Sequence, residues 1–261
     1  MKGYRVKETN IALPHTAKRL LNIIQQKGEI RRIKFKRVLL SDYRCYSQFI
    51  ENSHKNQGNV NEYKNLPADY LLAAQQGDID KVKTCLALGV DINTCDRQGK
   101  TAITLASYIS NMLAFQALID AGADINKQDH TCLNPFLISC LNDDLTLLRI
   151  ILPAKPDLNC VTRFGGVGLT PACEKGHLSI VKELLAHTEI NVNQTNHVGW
   201  TPLLEAIVLN DGGIKQQAIV QLLLEHGASP HLTDKYGKTP LELARERGFE
   251  EIAQLLIAAG A

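Results

Sequence analysis

Aromatic side chains are scarce in this 261-residue chain: they make up 5% of it, and Trp200 is the single tryptophan. A core organised around large aromatic rings is therefore not expected, and apolar packing falls to Leu, Ile and Ala. The seven cysteines, Cys45, Cys85, Cys95, Cys132, Cys140, Cys160 and Cys173, contain no Cys-x-x-Cys pair. That removes local support for a zinc knuckle or a thioredoxin-type site. Their odd number and wide spacing also argue against a secreted disulfide framework and for reduced thiols in a cytoplasmic protein. Met1–Lys7 carries positive charge, but no run of seven apolar residues follows it, so a secretory signal lacks its apolar stretch. Nor does any segment approach the roughly 18 apolar residues that span a bilayer. Phosphate loops, nucleophile elbows and His or Cys clusters at metal spacing are missing as well. The expectation is a protein that is not an enzyme and holds no metal or cofactor.

Net charge is also small, at +2. The sum hides two halves: residues 1–64 hold 14 Lys and Arg against 5 Asp and Glu, for +9, while residues 65–261 hold 15 against 22, for −7. Charge asymmetry of this kind points to different partners for the two parts.

What the chain has is a repeat. From residue 68 a pattern returns at close to 33 residues. Gly89, Gly122 and Gly227 each follow an apolar helical stretch, as in Leu88-Gly89-Val90-Asp91-Ile92-Asn93 and Ala121-Gly122-Ala123-Asp124-Ile125-Asn126. Gly77-Asp78 and Gly176-His177 mark a second position, and Asp96-x-x-Gly99-x-Thr101 and Asp234-x-x-Gly237-x-Thr239 a third. In register, units start near 68, 101, 134, 167, 201 and 239, at intervals of 33, 33, 33, 34 and 38. The pattern resembles the ankyrin repeat, a β-turn followed by two helices. That resemblance covers residues 65–261 and implies an all-α ankyrin-repeat solenoid of about six helix–turn–helix units joined by β-turn fingers.

Each unit is physically consistent with this reading. Tyr70–Ala74 starts a helix that Gly77 ends in a left-handed cap, and Asp78 caps the next helix. Val82, Cys85 and Leu86 then share one apolar face. No unit buries that face alone, so stability comes from stacking. The polar residues Arg245, Glu246, Arg247, Glu250 and Glu251 suit a terminal unit.

Departures from the ankyrin pattern concentrate in the middle. The histidine usual in the first helix is missing, its positions reading Leu71, Thr104, Leu137, Thr170, Leu204 and Glu242. Pro171 stands in the fourth unit's first helix where leucine is usual, close enough to the helix start to escape the interior penalty. Glu205 takes the same position in the fifth unit, and a carboxylate there is costly unless paired. The fifth unit is five residues longer, and the extra length is read as a long helix-to-helix loop, Leu209–Lys215. Taken together, Gly165-Gly166, Pro171-Ala172-x-Glu174-x-Gly176-His177 and Gly199-Trp200-Thr201 resemble a subgroup of small bacterial ankyrin-repeat proteins. That resemblance implies the fold and brings no activity with it.

Candidate sites follow from the repeat geometry. Finger tips vary while their flanks keep the pattern, so they are the expected partner-binding residues: Arg97, Gln98, Lys100, His130, Thr131, Arg163, Phe164, His197, Val198, Trp200, Lys235, Tyr236 and Lys238. Trp200 suits either packing on the neighbouring finger or a partner contact. A second candidate is a polar pocket for a small ligand or for acid–base chemistry, formed by Thr170, Glu174, His177, Glu205, Asn210 and Asp211. Against it stands the alternative that Glu205 serves the fold through hydrogen bonds. Cys140 and Cys173 occupy equivalent small positions and are read as packing residues.

Residues 1–64 are read as a basic, partly flexible extension, with a helix whose apolar face is Ala17, Leu20, Leu21 and Ile24, and a polar linker over 51–64. Arg31-Arg32-Ile33-Lys34-Phe35-Lys36-Arg37 suits nucleic acid, an anionic surface or simple solvation. Small members of the bacterial subgroup are little more than repeats, so 1–64 is an added extension or the product of a misassigned start. An intact mass near 28.9 kDa excludes the second. The function expected overall is protein–protein interaction by a monomer through its finger tips and concave helix face. Nucleic-acid binding through 31–37 and the Glu205 pocket are the alternatives, and no membrane association is expected. The acidic repeat stack favours a partner with a basic patch.

Overall fold

Short helices of six to twelve residues alternate with tight turns, because polar caps and left-handed residues recur every few turns of chain. The computed structural model describes residues 65–261. The readings made above for 17–24, 31–37 and 51–64 lie outside the described residues.

Among the described residues twelve α-helices pair into six units. They are α1 (Leu66–Gln76) with α2 (Ile79–Ala87), α3 (Ala102–Tyr108) with α4 (Met112–Asp120), and α5 (Pro135–Leu141) with α6 (Leu145–Ile151). The remaining pairs are α7 (Leu169–Glu174) with α8 (Leu178–His187), α9 (Pro202–Val208) with α10 (Ile214–Glu225), and α11 (Pro240–Glu246) with α12 (Glu250–Ala258). Each first helix packs on the first helix of the next unit, each second helix on the next second helix, and the two layers touch within every unit. Among the described residues no strand is present beyond a single bridge between Cys95 and Thr101. This is an all-α solenoid.

Caps set the helix starts. Thr101, Asn134, Thr201 and Thr239 accept from backbone N–H groups of their own first helices, and Thr239 with Glu242 forms a reciprocal capping box. Asp78, Asn111 and Asp144 do the same for α2, α4 and α6. The fourth unit has Val167 where the second, third, fifth and sixth have a hydroxyl or an amide. Its first helix starts without a side-chain cap at Gly168, and Pro171 falls at the third helical position. A proline there gives up an N–H that has no partner within the helix anyway.

Between units, asparagine side chains act as braces. Asn93 Oδ1 accepts from Asp124 N–H, Asn126 Oδ1 from Asp157 N–H and Asn193 Oδ1 from Ser229 N–H, at 2.8–2.9 Å. Fingers also bond to fingers: His130 N–H donates to Gln98 C=O and His197 N–H to Phe164 C=O, both at 2.9 Å. The extra length of the fifth unit differs from the expectation of one long loop. Only Leu209–Gly213 is loop, while Ile214 and Lys215 open α10, at 12 residues the longest helix among the described residues. Asp211 Oδ1 accepts from Gly213 N–H at 2.9 Å, which turns the chain early enough for the helix to take up the surplus.

Candidate functional site

Four of the five fingers turn around one polar side chain, and the fourth unit's finger, Thr162–Gly166, is closed by backbone bonds alone. Asp96, Asp129 and Asp234 each use Oδ1 to accept two backbone N–H bonds, from Gln98 and Lys100, Thr131 and Leu133, and Tyr236 and Lys238. In the fifth unit that residue is Asn196, which accepts from Val198 and Trp200 N–H at 3.0 Å. The change from carboxylate to amide supplies a donor. Asn196 Nδ2–H bonds Glu205 Oε1 at 2.6 Å.

Glu205 lies on α9 with 5% of its surface exposed. One oxygen is held by Asn196, and the other, Oε2, is buried without a hydrogen-bond partner among the described residues. Burial, reinforced by the nearby Glu174 carboxylate, pushes its pKa up to about 7 against the opposing pull of the Asn196 bond. Glu205 also borders a cavity of about 250 Å³, lined in addition by Thr131, Leu133, Leu141, Thr162, Arg163, Phe164, Gly166, Thr170, Pro171, Glu174, Lys175 and Asn196. Fingers three, four and five form one side of this cavity, and α5, α7 and α9 the other. Thr170, 4% exposed, contributes a second buried and unpartnered oxygen, Oγ1.

The structure divides the six residues of the anticipated pocket into two groups. Thr170, Glu174 and Glu205 line the cavity. His177, Asn210 and Asp211 belong to the helix-to-helix turns instead. His177 Nδ1 lies 3.0 Å from Cys140 C=O, and Asn210 Nδ2 reaches Ala206 C=O at 3.2 Å while its Oδ1 accepts from Gln216 Nε2 at 2.8 Å. Asn196 escaped notice in the sequence. The available signal was the coincidence of two departures, Asn for Asp in the finger and Glu for an apolar residue on the helix.

Among the finger residues, Arg97, Gln98, His130, Thr131, Arg163, His197, Val198 and Lys235 are exposed, and so, at 67% and 76%, are the rings of Phe164 and Tyr236. Arg163 and Lys235 stack over the rings that follow them, at 5.2 and 5.0 Å. Two tips are engaged within the chain. Lys100 lies 4.5 Å from the Tyr108 ring, and Lys238 pairs with Glu246 at 2.6 Å. Trp200 is half-buried, with an indole N–H that finds no partner. Cys140 and Cys173 are fully buried; burial pushes the Cys140 thiol up to about 12 and raises Cys173 as well. Both thiols stay protonated at neutral pH. Among the described residues no three His, Cys, Asp or Glu side chains are grouped to hold a metal ion, and no helix is long and apolar enough to cross a membrane.

Six helix pairs, braced fingers and one stacking axis define a solenoid of ankyrin type, and the chain belongs to the ankyrin repeat family. The family model for ankyrin repeats (3 copies) matches residues 136–234, and that for ankyrin repeats (many copies) matches 70–119. The chain is 96% identical over 198 residues to the ankyrin repeat protein YahD of Escherichia coli (strain K12), covering 76% of this chain and 98% of that one. It is similar to the crystal structure of an ankyrin repeat domain from Acinetobacter baumannii AYE, at 43% identity and a TM-score of 0.71, over 74% of this chain and 97% of that one. The ankyrin repeat protein EF0377 superposes with a TM-score of 0.69 at 37% identity, over 72% and 96% of the two chains. Ankyrin repeats in general mediate protein–protein interaction.

Proposed function

We propose that this chain is a non-enzymatic interaction module that binds another protein through its finger tips and the adjoining face of the first helices. One observation carries the reading: exposed aromatic and basic tips, foremost Phe164 and Tyr236, stand on fingers closed by backbone hydrogen bonds, Thr162 N–H to Gly166 C=O and Asp234 N–H to Lys238 C=O. A braced finger presents its tip with little ordering entropy left to lose, so contact area converts efficiently into affinity. The repeats carry an excess of acidic residues, 22 against 15 basic ones, which suits a partner with a basic patch. The chain acts as a monomer in the cytoplasm.

The test uses the full-length chain and a Phe164→Ala/Tyr236→Ala variant as paired baits against native lysate, followed by measured affinity for any retained protein. The variant is expected to fold with Tm unchanged within about 2 °C, because both rings are solvent-exposed, and to bind at least tenfold more weakly. A partner bound equally by both baits, or no partner for either, overturns the assignment.

A further inference from the structure

The cavity between the third to fifth fingers and α7 and α9 is the polar site that the fold leaves unfinished. Its volume is about 250 Å³, room for a side-chain-sized group. Two of its lining residues are more than nine-tenths buried, and each holds an acceptor without a partner: Thr170 Oγ1 and Glu205 Oε2. Leaving such groups unpaired costs their desolvation without a return, so a ligand that donates to them recovers that cost. The amide beside Glu205 is already committed, and the two cations that border the cavity, Arg163 and Lys175, bond to neither acceptor. Asn196 gives its amide N–H to Glu205 Oε1 and uses its oxygen on the finger backbone. Glu174 adds a second carboxylate to the same cavity. Among the described residues, neither glutamate takes part in an ion pair. Leu133, Leu141 and Pro171 supply apolar wall. Two buried acceptors and two carboxylates beside apolar side chains are complementary to a cation on a short alkyl stem.

We propose that this cavity binds one alkylammonium or alkylguanidinium group, with Glu205 Oε2 and Thr170 Oγ1 accepting its hydrogen bonds. Asn196 orients Glu205 by fixing the other oxygen. Glu205 stands at a register position that is apolar in the other units from the second onward, Leu105, Ile138, Pro171 and Leu243. This site goes beyond the interaction reading above, because a free amine fills it as readily as a basic side chain of a bound protein.

Titration of the full-length chain with n-butylammonium and n-butylguanidinium, with n-butanol as neutral control, tests the site by amide chemical shifts and calorimetry at pH 8. Saturable binding of a cation, with shifts centred on Thr170, Asn196 and Glu205, is expected; butanol should cause none of it. Glu205→Gln should weaken binding at least tenfold, and Thr170→Val severalfold. Affinity should also fall from pH 8 to pH 6, where Glu205 takes up a proton that competes with the ligand, and Glu205→Gln should remove that dependence. The other charged groups lining the cavity are Glu174 of α7, Lys175 just past its end and Arg163 of the fourth finger, and the buried Cys173 of α7 is close enough to feel the Glu205 charge. On the α11 side, Lys238 and Glu246 are occupied with each other. The capped peptide acetyl-Gly-Arg-Gly-amide separates the two sources. Equal or tighter binding of the peptide assigns the site to a partner's basic side chain, and exclusion of the peptide assigns it to a free amine or guanidine. Absence of saturable cation binding, equal binding of butanol, or undiminished binding by both variants overturns the proposal.

Discussion

A carboxyl group held out of water makes folding stability depend on pH, and Glu205 has a definite sign. Its folded-state pKa, about 7, stands above the usual carboxylate value of 4.5. The native chain therefore binds more protons than the unfolded chain between those values, and stability falls as pH rises through that window. In Glu205→Gln the amide cannot ionise, so its loss of stability between pH 5 and pH 7.5 should be smaller by about 1–2 kcal/mol. That figure lies below the full linkage value because water in the open cavity screens the charge. Denaturant unfolding of both proteins at pH 5, 6, 7 and 8 gives the comparison, and parallel pH profiles would show that Glu205 ionises as an ordinary surface carboxylate. The sequence marks Glu205 as misplaced because its register position is apolar in neighbouring units. It does not reveal Asn196, since Asn for Asp is unremarkable in a turn that needs only an acceptor. Their relation depends on the distance between a finger and the following helix, which only folding sets.

At the scale of elements, the periodic features were readable in the residues and the compensations were not. Gly77 takes a left-handed φ of 74° after α1, and Asp78 caps α2, as their types alone indicate. Ser110 and Asp143 occupy the equivalent left-handed turns at φ 50° and 56° without being glycine. Those turns hold because the fold demands the tight connection, and Asp144 beside them takes Ser110 Oγ–H at 2.7 Å from the neighbouring unit. In the fourth unit the missing cap at Val167 is accompanied by glycine at 168. A Cβ on Gly168 would stand 2.7 Å from the Phe136 ring and 2.9 Å from Cys140 Sγ. Both neighbours are fully buried on α5 and have no room to move. Gly168→Ala should therefore destabilise the chain by about 1–3 kcal/mol through overpacking, even though alanine is the better helix former. Thermal or denaturant unfolding measures it. A neutral or stabilising effect would mean that α5 and α7 slide apart at little cost.

For the repeat stack as a whole, each unit is stabilised by its neighbours, so stability is expected to vary along the axis rather than be shared evenly. Central units bury far more. In α5 every residue from Pro135 to Cys140 is buried, and α6 behind it buries Leu147, Leu148 and Ile151. The last unit buries only Pro240 and Ala244 of α11, with Ile252, Ala253 and Leu256 of α12. Among the described residues it packs on one unit, the fifth, and the exposed side of α11 carries Glu242, Arg245 and Glu246. Native-state hydrogen exchange should thus find α11 and α12 opening together, at a free energy a few kcal/mol below that of α5 to α8. Leu256→Ala, which removes a fully buried side chain, should lower the opening free energy of that pair by about 2–4 kcal/mol and leave the protection of α5 and α6 unchanged. Equal protection across all units, or an equal effect of the variant on α5, would show that the stack unfolds as a single cooperative body. In the expected case the cavity at Glu205, built from units three to five, lies in the most protected part of the axis. Its geometry then persists while the terminal unit frays, as a preformed ligand site requires.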